Sequence, residues 1–272
     1  MGAQFVLSQG LLRVQINQFT LAQIQIMTTT FHSLGELRHS SPTLLLSFGL
    51  FLLPLLSSAA DPGVGTTKGL LDTPRPKDAV ELVGKTGHIL VAESKFKNQW
   101  TFKDGVLTAS PKWDSLVTPE SYQDFRMHVE FNVNEVPNAD PEANGNSGVY
   151  IQQRYELQIL NSHGVSAEDY KASYAGSLYK QKKPDKLVSK PAGEWQTYDI
   201  VFRAARFDGD KKTENARITV RQNGELIHDD YALTNKTGAG KKEGSQPLPI
   251  KLQGHENQVR FRNIWIQRLK LD

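Results

Sequence analysis

The sequence predicts an all-β protein, built as a single β-sandwich or jelly roll. Short segments in which apolar and polar residues alternate follow one another along the chain, and turns rich in Gly, Asn and Pro separate them. Helical periodicity with good caps is missing from segments of ten residues or more, except for a possible short helix over residues 166–175. A sandwich of about 200 residues is a normal size for one domain.

The strands follow from period-2 alternation, which places residues i and i+2 on the same face of a sheet. Apolar residues alternate with polar ones from Phe125 to Val133 and again from Tyr198 to Phe202. Asn223-Gly224 follows an alternating segment and predicts a type I′ hairpin turn. Two further strands are expected over residues 249–253 and 259–266.

Residues 1–60 have the features of an N-terminal extension plus a signal peptide. A short basic region at Arg38 and His39 precedes an apolar run over residues 44–56, and small residues end at Ala60. The run is too short for a stable transmembrane helix. We expect cleavage near Ala60 and a secreted or periplasmic bacterial protein, with Met27 as a hypothetical true start.

The chain after residue 60 divides into a Pro/Gly-rich linker over residues 61–78 and the sandwich over residues 79–272. Cysteine is absent, which excludes disulfides and thiolate chemistry. The net charge is +3 with no basic stripe, so nucleic acid is not an expected partner. His-x-x-x-His spacing is absent, although a divalent cation such as Ca²⁺ remains possible. The oligomeric state stays open.

Polar side chains on one predicted strand form the first candidate site. Arg154, Glu156 and Gln158 lie on the face opposite Tyr155, Leu157 and Ile159, as a row of hydrogen-bonding groups suited to a hydroxyl-rich ligand. A solvent-facing strand would also be polar. Three other strands carry groups that could converge on the same face: Arg126, His128, Glu130 and Asn132, then Lys251, Gln253 and His255, and finally Arg260 and Arg262.

Loop residues give weaker signals. The segment from Asn144 to Gly148, which includes Asn146 and Ser147, is either a simple turn or a set of donors to sugar hydroxyls. His163 is either an exposed loop residue or part of the rim of the site. Trp195 either stacks on a sugar ring or lies in the core, and Trp265 is expected in the core.

Five motifs in order resemble a known family. They are Gly145-Asn-Ser-Gly-Val-Tyr, Arg154-Tyr-Glu-Leu-Gln-Ile, residues 193–203 (GEWQTYDIVFR), Pro249-Ile-Lys-Leu-Gln and Phe261-Arg-Asn-Ile-Trp-Ile. Together they are similar to the 3-keto-disaccharide hydrolase domain, over about residues 79–270. The resemblance implies a concanavalin-A-like β-sandwich jelly roll.

The resemblance also implies hydrolysis of glycosides whose glucosyl C3 is a ketone. Such a ketone acidifies the C2 proton, so a base can remove it, the C1 aglycone leaves by β-elimination, and water adds back. On the motif positions, Glu156 is the first candidate for base or acid, with Glu130 and His255 next, and Arg154 and Lys251 are candidates to stabilise enolate charge. Substrate-binding candidates are Asn146, Ser147, Gln158, Asn161, His163, Gln253 and Arg262.

Two departures from the family pattern bear on activity. The family commonly has Asp where this chain has Asn161, and it often has Gln-Asp-His-Gly where this chain has Gln253-Gly254-His255-Glu256. A non-catalytic carbohydrate-binding module on the same fold is the alternative, because a fold does not decide function. A binding module would favour aromatic platforms over the carboxylates, Arg and His found here.

Overall fold

The structure is a computed structural model, and it describes residues 70–94, 99–112, 114–137 and 139–272. The expected signal peptide and the first part of the expected linker lie outside these residues. The described elements, apart from a short 3-10 turn over Pro141–Ala143, are strands. They are β1 (Val80–Val83), β2 (Val91–Ala92), β3 (Thr101–Lys103), β4 (Val106–Thr108), β5 (Leu116–Tyr122), β6 (Asp124–Asn132), β7 (Ser147–Ile151), β8 (Tyr155–Ile159), β9 (Trp195–Arg203), β10 (Arg206–Asp208), β11 (Lys211–Glu214), β12 (Ala216–Gln222), β13 (Glu225–Leu233), β14 (Leu248–Leu252) and β15 (Arg260–Leu269).

The strands form two main antiparallel sheets. The eight-stranded sheet has the order β13-β12-β9-β6-β15-β4-β3 with β1 also paired to β15, and the five-stranded sheet has the order β2-β5-β14-β7-β8. Side chains from both sheets meet in one continuous core, for example Phe125, Val129 and Phe202 against Val149 and Leu157. The predicted all-β sandwich is therefore confirmed.

Local sequence patterns explain several of these elements. Asn223 and Gly224 have φ values of +52° and +86° and connect β12 to β13, as the type I′ prediction requires. The possible helix over residues 166–175 is wrong: this segment forms turns, and Tyr170 and Tyr174 pack on Leu160. Burial of both tyrosines by a chain of turns outweighs the weak local helical pattern.

The outer faces of the two sheets point in opposite directions, because their inner faces share one core. In β6 the residues Phe125, Met127, Val129 and Phe131 face the core, so His128 and Glu130 lie on the outer face of the eight-stranded sheet. In β8, Leu157 faces the core, so Glu156 lies on the outer face of the five-stranded sheet. The expected convergence of all four polar strands on one face is wrong.

The segment over residues 70–79 packs on the outer face of the eight-stranded sheet. Thr73 is buried, and its carbonyl oxygen accepts hydrogen bonds from Asn263 Nδ2 at 3.1 Å and Trp265 Nε1 at 3.4 Å. Trp265 is buried as expected, but beneath this segment rather than in the core between the sheets.

Within the described part of the chain, no helix is long and apolar enough to cross a membrane.

Candidate active site

A row of paired residues crosses the outer face of the five-stranded sheet. Lys251 of β14 pairs with Tyr150 of β7, and Tyr150 pairs with Glu156 of β8. Residues directly opposite each other in antiparallel strands point to the same side and lie about 5 Å apart. The pairing therefore places an ammonium group, a phenol and a carboxyl group side by side.

The three side chains of this row contact one another. Tyr150 Oη donates to Glu156 Oε2 at 2.8 Å, and Lys251 Nζ lies 4.2 Å from the centroid of the Tyr150 ring. Glu156 and Tyr150 are buried, whereas the Lys251 side chain keeps 15% of its surface exposed. Lys251 also lies 3.6 Å from Glu93 Oε2. The Glu156 end of the row is thus shielded from solvent, and the Lys251 end is partly exposed to it.

Gly148, which has no side chain, leaves space for the side chains of Glu156 and Gln253. A Cβ atom on Gly148 would lie 2.8 Å from Glu156 Oε1 and 3.4 Å from Gln253 Oε1. Gly148 pairs with Gln158 in β8, and its carbonyl oxygen accepts a hydrogen bond from the backbone N–H of Gln253. A second row, Gln253-Gly148-Gln158, therefore runs beside the first, and the Glu156 carboxyl group packs over its central residue.

The Glu156 carboxyl group is tuned for proton transfer near neutral pH. Burial raises the pKa of Glu156 from 4.5 to about 7, because the charged form loses its hydration. The hydrogen bond from Tyr150 and the charges of Lys251 and Lys180 oppose this rise. A carboxyl group with a pKa close to the working pH can both accept and return a proton.

Two amide side chains beside Glu156 offer hydrogen-bond acceptors. Gln158 Oε1 and Gln253 Oε1 are buried and have no hydrogen-bond partner among the described residues. Gln158 is held in place by a bond from its Nε2 to Asn146 Oδ1 at 3.1 Å, and Asn146 Nδ2 in turn donates to Glu142 O at 2.5 Å. Unpaired buried acceptors are costly, and a hydroxyl-bearing ligand would satisfy them.

The free edge of β8 is covered by two segments that reach the site. The backbone N–H of Tyr179 donates to Glu156 O, and the backbone N–H of Glu156 donates to Thr237 Oγ1 at 2.7 Å. The ideal Cβ of Gly238 would lie 2.8 Å from the Tyr179 ring. Residues 176–182 and the loop over residues 234–247 therefore form the wall next to Glu156.

Arg154 holds that loop in place and does not donate to the Glu156 carboxyl group. Its guanidinium donates to Lys242 O and Gln246 O, both at 3.0 Å, and to Gln152 Oε1 at 2.8 Å. Gly240 packs directly on the Arg154 carbonyl, since a Cβ there would lie 2.1 Å from that oxygen. These bonds position the loop, and the expected role of Arg154 in stabilising enolate charge stays a prediction.

Glu130 and Arg262 lie on the other sheet and do not belong to this site. Arg262 Nε donates to Glu130 Oε2 at 2.7 Å, and Asn263 Nδ2 donates to Glu130 Oε1 at 2.8 Å. Burial alone would raise the pKa of Glu130, but hydrogen bonds from His128, Asn263, Arg262 and the Asp72 N–H lower it to about 2. A fully buried carboxylate with so low a pKa is a poor general base. Trp195 lies on the same sheet, 4.3 Å from the Arg262 guanidinium.

The remaining candidates lie at strand ends and in loops. Ser147 Oγ donates to Gln253 O at 2.7 Å, which ties β7 to the end of β14. His163 is exposed, and its Nδ1 lies 2.9 Å from Ser189 O. Asn161 is half-buried, and its backbone N–H donates to Asn144 O. His255 is half-buried two residues beyond Gln253, and burial lowers its pKa. None of these four has a hydrogen bond to Glu156 among those described.

The Gly254 departure has a local structural reason. A Cβ on Gly254 would lie 1.9 Å from Asp114 O, so an aspartate at this position requires a different loop path. Glu256, where the family pattern has Gly, adopts φ +57°. This left-handed conformation is one that Gly accepts at no steric cost and Glu does not.

Sequence reasoning missed Tyr150, Lys180 and Gly148 as parts of the site. The signal for Tyr150 was present, because Val149 and Ile151 alternate as core residues and leave Tyr150 on the same face as Glu156. Lys180 gave no such signal, since it lies outside any strand and reaches Glu156 only through the path of residues 176–182.

A divalent cation was left open by the sequence. The described residues contain no group of three or more His, Asp or Glu side chains arranged to hold a metal ion.

The outer face of the five-stranded sheet thus carries carboxyl, phenol, ammonium and amide groups, a set that can bind a hydroxyl-rich ligand and move a proton. The profile of the 3-keto-alpha-glucoside-1,2-lyase-like domain matches residues 85–267, and the chain belongs to this family. This confirms the family expected from the motifs.

A solved structure that is 31% identical to the chain agrees with this assignment. A "putative glycosyl hydrolase" from Parabacteroides distasonis is 31% identical with a TM-score of 0.65, over 71% of this chain and 85% of that chain. A second protein of the same description and organism is 26% identical with a TM-score of 0.48, over 70% of this chain and 99% of that one. No curated protein sequence matches the chain.

Proposed function

We propose that the protein cleaves the glycosidic bond of 3-keto-glycosides by β-elimination across C1 and C2, followed by addition of water. The observation that carries this proposal is the buried Glu156 carboxyl group, whose pKa is raised to about 7 beside two lysines. The family description, a 1,2-lyase acting on a 3-keto-glucoside, names the matching chemistry for its members.

Glu156 and Lys251 of the row have a place in this reaction. Glu156 takes the C2 proton, which the C3 ketone acidifies, and the electron pair of the C–H bond moves into the enolate. Lys251 and Lys180 supply positive charge to a site where negative charge develops. When the enolate collapses, the C1–O bond breaks and the aglycone oxygen takes a proton; water then adds to the C1=C2 bond.

The amide groups bind the sugar rather than react. Gln158 Oε1 and Gln253 Oε1 accept hydrogen bonds from sugar hydroxyls, which satisfies both buried oxygens. Gly148, which has no side chain, lets the Glu156 carboxyl group and the Gln253 amide lie close together over the strand.

The test compares oxidised and unoxidised substrates with purified protein. We expect release of the aglycone from 3-keto-trehalose and methyl 3-keto-glucoside, and no release from trehalose or methyl glucoside. In D₂O, substrate recovered at partial conversion should carry deuterium at C2. Equal cleavage of the unoxidised sugars would contradict the elimination mechanism, and EDTA in a parallel sample tests for a metal.

The matched pair of variants is Glu156→Gln and Glu243→Gln. Glu243 also accepts a hydrogen bond from a tyrosine, Tyr155, but Tyr155 lies on the core side of β8. Glu156→Gln should remove both cleavage and C2 exchange, whereas Glu243→Gln should keep them. Binding of the keto-sugar without any turnover by the unsubstituted protein would favour the carbohydrate-binding module instead.

We also propose that the protein is exported, with cleavage near Ala60. The support is the basic, apolar and small-residue order over residues 38–60. N-terminal sequencing of protein from the native host tests this directly: a mature N-terminus near Asp61 is expected, and a chain starting before Met27 would contradict both export and the proposed start.

A further inference from the structure

Tyr150 is the one member of the row to which base chemistry gives no task. Its hydroxyl is buried and donates to Glu156 Oε2 at 2.8 Å, and the ring lies against the Lys251 ammonium. A tyrosine that served only to fill space would not place its hydroxyl on the group that handles the proton.

The proton balance of the elimination shows that the proposed steps still lack a proton donor for the aglycone oxygen. One proton leaves C2 and arrives on Glu156, and one proton must arrive on the aglycone oxygen as the C1–O bond breaks. Alkoxide leaving groups depart slowly without an acid, and a positioned general acid contributes about 10²–10⁴-fold. Within the described row, the side chain that donates a hydrogen bond to the Glu156 carboxyl group is Tyr150.

We propose that Tyr150 is the catalytic acid that protonates the aglycone oxygen, and that Glu156 then restores its proton. This inference rests on the elimination proposed above. The C2 proton moves to Glu156, the Tyr150 proton moves to the aglycone oxygen as the C1–O bond breaks, and the Glu156 proton then passes to the Tyr150 phenolate. Both side chains end as they began, and no external acid is consumed.

The protonation state of Glu156 controls when the Tyr150 phenol becomes acidic enough to give up its proton. Burial and the neighbouring Glu156 carboxylate raise the pKa of Tyr150, so the phenol keeps its proton while Glu156 is ionised. Once Glu156 has taken the C2 proton, its negative charge is gone and Tyr150 becomes a stronger acid. Lys251 Nζ, 4.2 Å from the ring centroid, favours the phenolate that forms. Tyr150 can thus donate its proton at the step in which the C1–O bond breaks.

The experiment compares Tyr150→Phe with the matched control Tyr155→Phe on two substrates. Tyr155 donates to Glu243 Oε1 at 2.5 Å, so the control also removes a buried tyrosine-to-carboxylate hydrogen bond. The substrates are 4-nitrophenyl 3-keto-glucoside, whose aglycone leaves without an acid, and methyl 3-keto-glucoside, whose aglycone needs one. Tyr150→Phe should slow methyl release about 100-fold or more and nitrophenyl release less than about tenfold. Tyr155→Phe should change the ratio of the two rates less than about threefold.

Two outcomes would overturn the relay. Equal slowing of both substrates by Tyr150→Phe would give Tyr150 a structural role only, and loss of C2 deuterium exchange in that variant would place it in the base step. A wild-type protein that cleaves neither substrate contradicts the proposed function itself, which is a distinct result. Should Tyr150→Phe fail to fold, wild-type rates across a series of aryl aglycones decide: weak dependence on leaving-group acidity is expected, and steep dependence overturns the proposal.

Discussion

Gly148 lies directly beneath the Glu156 carboxyl group, so close that a single added methyl group would displace it. The ideal Cβ position is 2.8 Å from Glu156 Oε1. We predict that Gly148→Ala moves the carboxyl group away from the substrate and lowers kcat/KM for 3-keto-glucosides by tenfold or more, on the order of the loss from a small misplacement of a catalytic group.

The control for this substitution is Gly87→Ala. A Cβ on Gly87 meets no atom within 4 Å. Steady-state kinetics of both variants, with thermal unfolding to confirm the fold, should show the loss in Gly148→Ala alone. Unchanged kinetics in Gly148→Ala would mean that the position of Glu156 does not matter.

The pH dependence of the reaction should follow Glu156. A base must be deprotonated, and burial raises the pKa of Glu156 to about 7. We therefore expect kcat/KM to rise with pH through about 7 and to level off above it, because kcat/KM reports the free enzyme. A rise centred near the ordinary value of 4.5 would contradict the raised pKa of Glu156.

Removal of Lys251 should shift that pH profile in a defined direction. The Lys251 charge lowers the pKa of Glu156 against the larger effect of burial. In Lys251→Met the midpoint of the rise should move to higher pH, together with a lower plateau because enolate charge loses its partner. A fall in the plateau with an unmoved midpoint would show that Lys251 does not act on Glu156.

A second buried cluster, on the eight-stranded sheet, should make stability depend on pH. Burial alone lowers the pKa of His128, but hydrogen bonds to Asp199 and Glu130 outweigh it and raise the value to about 9. A raised histidine pKa stabilises the fold fully below its ordinary value of 6.5, and this contribution disappears as pH rises through about 9. Urea unfolding between pH 6 and 9.5 should show the free energy of unfolding falling, and a constant value would contradict the assignment.

Asp199→Asn tests the same cluster by substitution. His128 Nδ1 lies 2.8 Å from Asp199 Oδ1, and the His128 ring stacks on Trp265 with centroids 5.6 Å apart. Breaking this buried pair should lower the free energy of unfolding by about 3 kcal/mol. The exposed pair of Arg217 and Asp230 is the control, and Asp230→Asn should cost less than about 1 kcal/mol.

Substitution of Arg154 should loosen one loop and leave the rest of the sandwich unchanged. Because its guanidinium binds the carbonyls of Lys242 and Gln246, Arg154→Met should release the loop over residues 234–247. Hydrogen exchange should rise at Lys241, whose N–H donates to Gln153 O, while β6 and β9 stay protected. Arg154→Lys should not restore protection, since one ammonium cannot match the fork of a guanidinium. Uniform exchange across the sandwich would mean global destabilisation instead.

The sequence by itself determined the fold class and the core-facing side of several strands. Alternation along β6 and β8 predicted which side chains enter the core, and the Asn223-Gly224 turn was predicted because both residues accept positive φ. Glu156, Gln158, Gln253 and Lys251 were also predicted as one group, and they share a sheet face. Such features depend on local backbone geometry, which sequence patterns report directly.

Only the tertiary structure decided which polar strands meet. Glu130 and Glu156 show the same alternation in sequence, yet the order of the strands places them on opposite outer faces of the sandwich. Arg154, a sequence candidate, donates to loop carbonyls, whereas the charge of Lys180, which was not a candidate, lowers the pKa of Glu156. The reason is physical. Period 2 fixes the side to which a residue points, but long-range strand pairing and loop paths fix its neighbours, and those neighbours set the pKa that makes Glu156 a base.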